Sequence, residues 1–116
     1  MEEKWNILLY RTIRGDSPIN EFIDSLEIKA QSKVYDTINL LREFGTKLGL
    51  PHFKKITGSE LWEMRILGSD SIRIFYITIT GKTFLLLHGF KKKQNKTPSK
   101  EIKIAEERLR DHKLRS

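Results

Sequence analysis

The chain has 116 residues, 38% of them hydrophobic and 32% charged, with a net charge of +7 and no cysteine. That length supports one modest core rather than two, and the missing cysteines exclude disulfides and thiolate metal sites. No apolar run approaches the ~18–20 residues of a membrane span, and residues 1–4 lead into a mixed segment rather than an apolar signal region. The expectation is a soluble, cytoplasmic protein forming a single domain over residues 1–116. The charge is unevenly placed. Residues 1–81 hold eleven Lys/Arg and eleven Asp/Glu, whereas residues 82–116 hold eleven Lys/Arg and only four Asp/Glu. A positive field concentrated in this way attracts phosphate polymers, and an acidic protein partner could use the same surface.

Residues 5–11 read as a first strand, broken by Gly15, Asp16, Ser17 and Pro18. Ser17 suits a helix N-cap and Pro18 the first helical position, where no amide hydrogen is needed. Ile19, Phe22, Ile23 and Leu26 then follow at helical spacing. A second helix fits residues 28–44, with Ala30, Val34, Ile38, Leu41 and Phe44 as its apolar stripe. Gly45 is its expected stop, and Gly49-Leu50-Pro51 marks a loop.

The middle of the chain changes to β-rich runs over residues 61–67, 72–80 and 83–90, separated by Gly68-Ser69-Asp70 and by Gly81-Lys82. Short turns between such runs predict antiparallel hairpins. The run Phe84-Leu85-Leu86-Leu87 is apolar on both faces and predicts a central strand. Thr97-Pro98 predicts the cap and first residue of a final helix with a narrow stripe of Ile102, Ala105 and Leu109. The order is β-α-α-β-β-β-α, an α+β domain with two helices on one face of an antiparallel sheet.

Alternation sorts the strand side chains by face. Trp62, Met64 and Ile66 oppose Leu61, Glu63 and Arg65; Ile72, Ile74 and Tyr76 oppose Arg73, Phe75 and Ile77. A three-residue turn at 68–70 sets Arg65 opposite Arg73. Like charges across a strand pair repel, so the pair implies either a bound phosphate or a neutralising carboxylate such as Glu63. His88 is followed by Gly89, Phe90 and the run Lys91-Lys92-Lys93, which makes it a candidate acid or base beside a basic surface. His52 in a loop and His112 near the end of the sequence have no defined partner. Phe90 is either core or a stacking platform for a base. Cleavage of RNA by its own 2′-hydroxyl needs a proton acceptor, cations around the phosphorane-like transition state and a proton donor for the leaving oxygen. Arg and Lys supply the second, and a histidine either of the others. No carboxylate cluster suggests a metal, and no Walker loop, zinc spacing or recognisable Ser/His/Asp arrangement is present.

The blocks Lys54-Lys55-Ile56-Thr57-Gly58, Leu61-Trp62-Glu63-Met64-Arg65, Ile72-Arg73-Ile74-Phe75-Tyr76, Leu87-His88-Gly89-Phe90-Lys91-Lys92 and Lys96-Thr97-Pro98 together resemble the RelE/ParE toxin superfamily. The likeness is nearest to its HigB-like branch, which includes phage-derived relatives. It implies a RelE-like (microbial RNase-like) fold with helices packed on a curved antiparallel sheet. It also implies a metal-independent, cofactor-free endoribonuclease that cuts mRNA on the ribosome as the toxin of a type II toxin–antitoxin pair. The implied partners are mRNA, the ribosome and a HigA-like helix-turn-helix antitoxin, with operator DNA reached only through the antitoxin complex.

Carried over by position, Arg73 matches a phosphate-binding strand arginine, Arg65 another basic strand position, and Lys91 a catalytic basic residue after the last strand. Lys54, Lys55, Lys92, Lys93 and Lys96 are the expected contacts to RNA and ribosome. Leu61 and Glu63 stand where RelE itself has lysines, and no tyrosine follows Tyr76, so His88 or Glu63 is the candidate proton-transfer group. The same fold also carries gyrase inhibitors of the ParE type and would suit a non-catalytic nucleic-acid-binding module.

Overall fold

The computed structural model describes residues 4–47, 49, 51–68, 71–93 and 98–116. Strand β1 (Asn6–Leu9) leads to helices α1 (Pro18–Asp24) and α2 (Ile28–Phe44), and α2 ends in a 3-10 turn, Gly45–Lys47. Strands β2 (Phe53–Lys55), β3 (Trp62–Arg65), β4 (Ile72–Ile79) and β5 (Thr83–Lys91) follow, and α3 (Ser99–Arg115) closes the order. The five strands form one sheet in the order β1-β5-β4-β3-β2.

The local signals for the first half behave as their chemistry requires. The Ser17 hydroxyl accepts from the Asn20 amide at 3.4 Å, and Pro18 opens α1 where its missing N–H costs nothing. Ala30, Val34, Ile38 and Leu41 form the buried side of α2, while Phe44, the last of the expected stripe, is half exposed. Gly45 ends the helix at φ 59°, and its own amide returns to the Leu41 carbonyl. Every fully buried aliphatic side chain in this layer contributes about 1.5–3 kcal/mol from water exclusion.

Three features differ from the sequence expectation. The sheet is mixed, because β1 pairs parallel with β5 (Ile7 beside Phe84, Leu9 beside Leu86). The remaining pairs, β2 with β3, β3 with β4 and β4 with β5, are antiparallel. A parallel partner needs a long crossover, and nothing in residues 5–11 encodes which sheet edge they will take. Second, β2 is an additional strand. Three residues, two of them exposed lysines, are too few to generate a periodicity. Third, α3 begins at Ser99 with Pro98 as its N-cap, in extended geometry at ψ 133° and without a side-chain cap; Thr97, the expected cap, lies outside the described residues, as do Ser69, Asp70 and Leu50.

The sheet separates two cores. On one face α1 and α2 pack over Phe53, Met64, Ile66, Ile72, Ile74, Tyr76, Phe84 and Leu86. On the other, Ala105 and Leu109 of α3, flanked by Ile102, cover Tyr10, Leu61, Phe75, Ile77, Leu85, Leu87 and Phe90. Phe90 is therefore core, at 5% exposure. A sheet clothed on both sides explains why residues 84–88 are all buried.

The register of β5 shifts once. Phe75 faces His88 but Tyr76 faces Leu86, so Leu87 is an extra residue, a β-bulge. Strict alternation would put His88 with Leu86, toward α1 and α2. The bulge instead turns His88 and Phe90 to the α3 side, and it brings Gly89 beneath α1, where a Cβ would collide with the Phe22 ring. Gly89→Ala is expected to destabilise the fold by about 1–3 kcal/mol through overpacking. In a Phe22→Ala background most of that loss should disappear, as read by a double-mutant cycle in urea unfolding.

Candidate nucleic-acid interface

Two transverse rows of side chains on the α3 face hold Lys54, Arg65, Arg73 and His88 of the candidate residues. In the first, Lys54 of β2 pairs with Glu63 of β3, Glu63 with Phe75 of β4, and Phe75 with His88 of β5. In the second, Arg65 pairs with Arg73 and Arg73 with Phe90. The cross-strand arginine pair expected from alternation is thus present. Cross-strand partners share a face, so Lys54 joins Arg65 and Arg73, giving three cations around one carboxylate.

That carboxylate is Glu63, 1% exposed. Its Oε1 accepts from Arg65 Nε at 3.1 Å and lies 3.8 Å from Arg73 Nε, within ion-pair reach but too far for a hydrogen bond. Arg73 donates through Nη1 to the Ile72 carbonyl at 3.0 Å, while its buried Nε has no hydrogen-bond partner. Burial pulls the Arg73 guanidinium below its usual pKa; Glu63 opposes that shift and Arg65 adds to it. The side chain stays charged at neutral pH all the same. The two side chains are mostly buried but not sealed, 26% exposed for Arg65 and 16% for Arg73. A partly exposed arginine pair held by a buried carboxylate suits an oxyanion such as a phosphate.

Other candidates lie apart from these rows. Lys55 pairs with Trp62 on the opposite face, and its Nζ donates to the Ser59 carbonyl in the β2–β3 turn. Lys91 pairs with Ile72 of the α1/α2 core, so its register position is also on the opposite face. Beyond it, the Lys92 amide donates to the Ser71 carbonyl at 2.9 Å, and Lys93 is exposed. Lys96 lies outside the described residues. Among the described residues, no three His, Asp or Glu side chains are placed to hold a metal ion.

His88 is buried to 9% exposure and both ring nitrogens are engaged. Arg108 Nη1 lies 3.2 Å from Nδ1 and also donates at 2.9 Å to the carbonyl of Leu87, the bulge residue. Arginine can only donate, so Nδ1 must accept and the proton resides on Nε2. Nε2–H then donates to Glu101 Oε1 at 2.7 Å. The ring stacks on Phe90 with centroids 5.5 Å apart. The contact set joins α3 to the sheet, and it continues through Tyr10, which lies under Arg108 and donates to Asp111 at 2.6 Å. None of these partners was legible in the sequence, because Glu101 and Arg108 read as two charges on a polar helix.

His52 was left without a partner by the sequence, and its backbone supplies one. The Arg65 amide donates to the His52 carbonyl at 2.7 Å, one step beyond the end of β2, and the His52 ring centroid lies 6.0 Å from that of Phe53, a member of the α1/α2 core.

A family model described as phage derived protein Gp49-like (DUF891) matches residues 21–110, a span that contains every residue of both rows. No curated protein matches the chain.

Burial, and secondarily Arg108, lowers the His88 pKa below the usual value, while the bond to Glu101 opposes the shift. A buried neutral histidine adds stability that is complete above the unfolded pKa of about 6.5 and is lost as pH falls below it, because the unfolded chain then binds the proton more readily. Stability is therefore expected to decline as the pH is lowered from that value, before most carboxylates titrate. Urea unfolding across this window should show the decline in the wild type and its loss in His88→Gln.

Proposed function

The chain belongs to the Gp49-like family of phage-derived proteins, a family associated with RelE- and HigB-type toxins, and on that premise we propose that it is the toxin of a toxin–antitoxin pair, a HigB-like endoribonuclease that cuts mRNA on the ribosome. The observation that carries this reading is the Arg65–Arg73 pair, partly exposed on the same face as Lys54 and held by Glu63. A gyrase inhibitor acting only through protein contacts has no need of a built phosphate site.

In this reading Arg65 and Arg73 grip the non-bridging oxygens of the scissile phosphate, and Lys54 adds a third positive charge. Their charge matters most as the ribose 2′-oxygen attacks phosphorus and negative charge accumulates on the phosphorane-like transition state. The positions of the three cations are set by the sheet before substrate arrives, so little reorganisation is required. Glu63 is a positioning residue: it keeps two like charges side by side and leaves the site positive overall. Lys92 and Lys93, with Lys91 at the other face of the strand end, form the basic grip on ribosomal RNA. His88 serves α3 docking instead of proton transfer. Two arginines recognise a phosphate without reading a base, so the place of cutting comes from how the ribosome presents the message. An antitoxin partner, of the HigA-like helix-turn-helix kind in this reading, silences the toxin.

The test is mapping of mRNA 5′ ends after brief induction in cells. New ends within translated frames are expected for the wild type and should vanish when initiation is blocked. Arg73→Ala should lower their yield by about 100-fold, the scale of losing one transition-state donor. Growth arrest with intact messages would overturn this reading in favour of a gyrase inhibitor.

A further inference from the structure

The sheet has two edge strands, β2 and β1, and an open edge offers its free amides and carbonyls to any extended chain. The two edges differ in chemistry. Strand β2 is three residues long and carries two exposed lysines, Lys54 and Lys55, the kind of charge that keeps a further strand away. Strand β1 is Asn6-Ile7-Leu8-Leu9, with neither a charge nor a proline. The Asn6 amide donates to the Lys82 carbonyl at 3.0 Å, and the Tyr10 amide to the Leu86 carbonyl at 2.9 Å. Alternate residues of a strand in a parallel ladder bond to the same neighbour. The amides and carbonyls of Ile7 and Leu9 therefore turn away from β5, to the open side. No helix, turn or loop backbone among the described residues bonds to them.

A groove of about 240 Å³ lies along this edge, between β1 and the two helices. Ile23 and Ile38 line it with Ile7 and Leu9, and Tyr35 of α2, 47% exposed, borders it. Its volume is below the ~300 Å³ at which small-molecule sites begin, and it suits the alternate side chains of a strand. Leu8 on the other face of β1 is 43% exposed, so an added strand would cover apolar surface on both faces of the sheet. The charges around the edge are mostly basic. Arg42 lines the groove, and its carbonyl accepts the Trp5 amide at 2.9 Å, which sets it at the start of β1. Arg11 and Arg14, both exposed, follow the end of the strand. Among the described residues no carboxylate lines the groove.

We propose that the β1 edge and this groove are the docking site for an extended segment of a partner protein, apolar at its centre and acidic at both ends. The segment adds to the sheet beside β1 and exchanges backbone hydrogen bonds with Ile7 and Leu9. Its inward side chains enter the groove, and its ends meet Arg42 on one side and Arg11 and Arg14 on the other. A second copy of this chain fits less well, because each copy carries a net charge of +7. Docking of this kind does not depend on whether the chain cuts RNA.

The experiment is amide hydrogen exchange, followed by NMR on the full chain. The probe is a short synthetic peptide with Val and Leu at its centre and Asp and Glu at both ends. At about ten times its Kd the peptide should slow exchange at the Ile7 and Leu9 amides about tenfold, the reciprocal of the fraction left free. The Asn6 and Tyr10 amides, already given to β5, are the internal reference. A peptide with Lys at both ends should not bind, and neither should one with a central Pro, which lacks a donor for the ladder. Arg42→Glu should weaken the acidic peptide about tenfold, and Tyr35→Ala should weaken it too, with urea unfolding showing that both variants fold. Exchange at Ile7 and Leu9 that the acidic peptide leaves unchanged would overturn the proposal. So would equal protection by the acidic and basic peptides, or acidic-peptide contacts at Lys54, Arg65 and Arg73 in place of β1. Protection that grows with protein concentration and needs no peptide would assign the edge to a second copy and also overturn it.

Discussion

One buried carboxylate makes the rest of the candidate site possible. Arg65 and Arg73 face each other across β3 and β4, an arrangement that like-charge repulsion opposes. Glu63, one residue before Met64 on the same strand as Arg65, lies 3.1 Å from one guanidinium and 3.8 Å from the other. Removing its charge would leave two cations on a water-poor sheet, the situation in which breaking an ion pair is most destabilising. The same residue limits what the site can do. It cancels one positive charge and leaves the others, so the face keeps a net positive charge and is still compatible with folding.

The second organising element is the bulge at Leu87. By adding one residue to β5 it turns His88 and Phe90 toward α3, and Arg108 of that helix donates to the Leu87 carbonyl. Helix α3 has a narrow apolar stripe, Ala105 and Leu109 with Ile102 at its margin, too little to hold a charged helix firmly by burial alone. The polar contacts of His88 with Glu101 and Arg108, and of Tyr10 with Asp111, complete its attachment. Neutral His88 is central to this, because protonating Nδ1 would set an N–H against the Arg108 guanidinium. The residue that reads in sequence as a candidate acid or base is thereby occupied by structure.

Much of the fold was legible for simple reasons. The Ser17–Pro18 start of α1, the 28–44 span of α2 with its Gly45 stop and the two later hairpins all depend on interactions between residues close in sequence. So does the alternation that sets Arg65 against Arg73, since the turn between β3 and β4 determines which residues pair. Strand β2 was not legible, because Phe53–Lys55 is shorter than one period of any useful pattern. The parallel pairing of β1 was hidden for a different reason: its partner β5 lies more than seventy residues away in the chain.

The sequence by itself determined the α+β class, the two faces of β3 and β4, the cross-strand arginines and the concentration of positive charge after residue 81. These follow from period, turn chemistry and composition, which act over a few residues at a time. Only the tertiary structure decided that Lys54 stands with the arginines, that Lys91 stands on the other face and that His88 is bound to α3. Each of these turns on the pairing of distant segments or on a one-residue change of register. A single inserted residue reverses the face of everything beyond it, and neither hydropathy nor charge spacing reports where that residue falls.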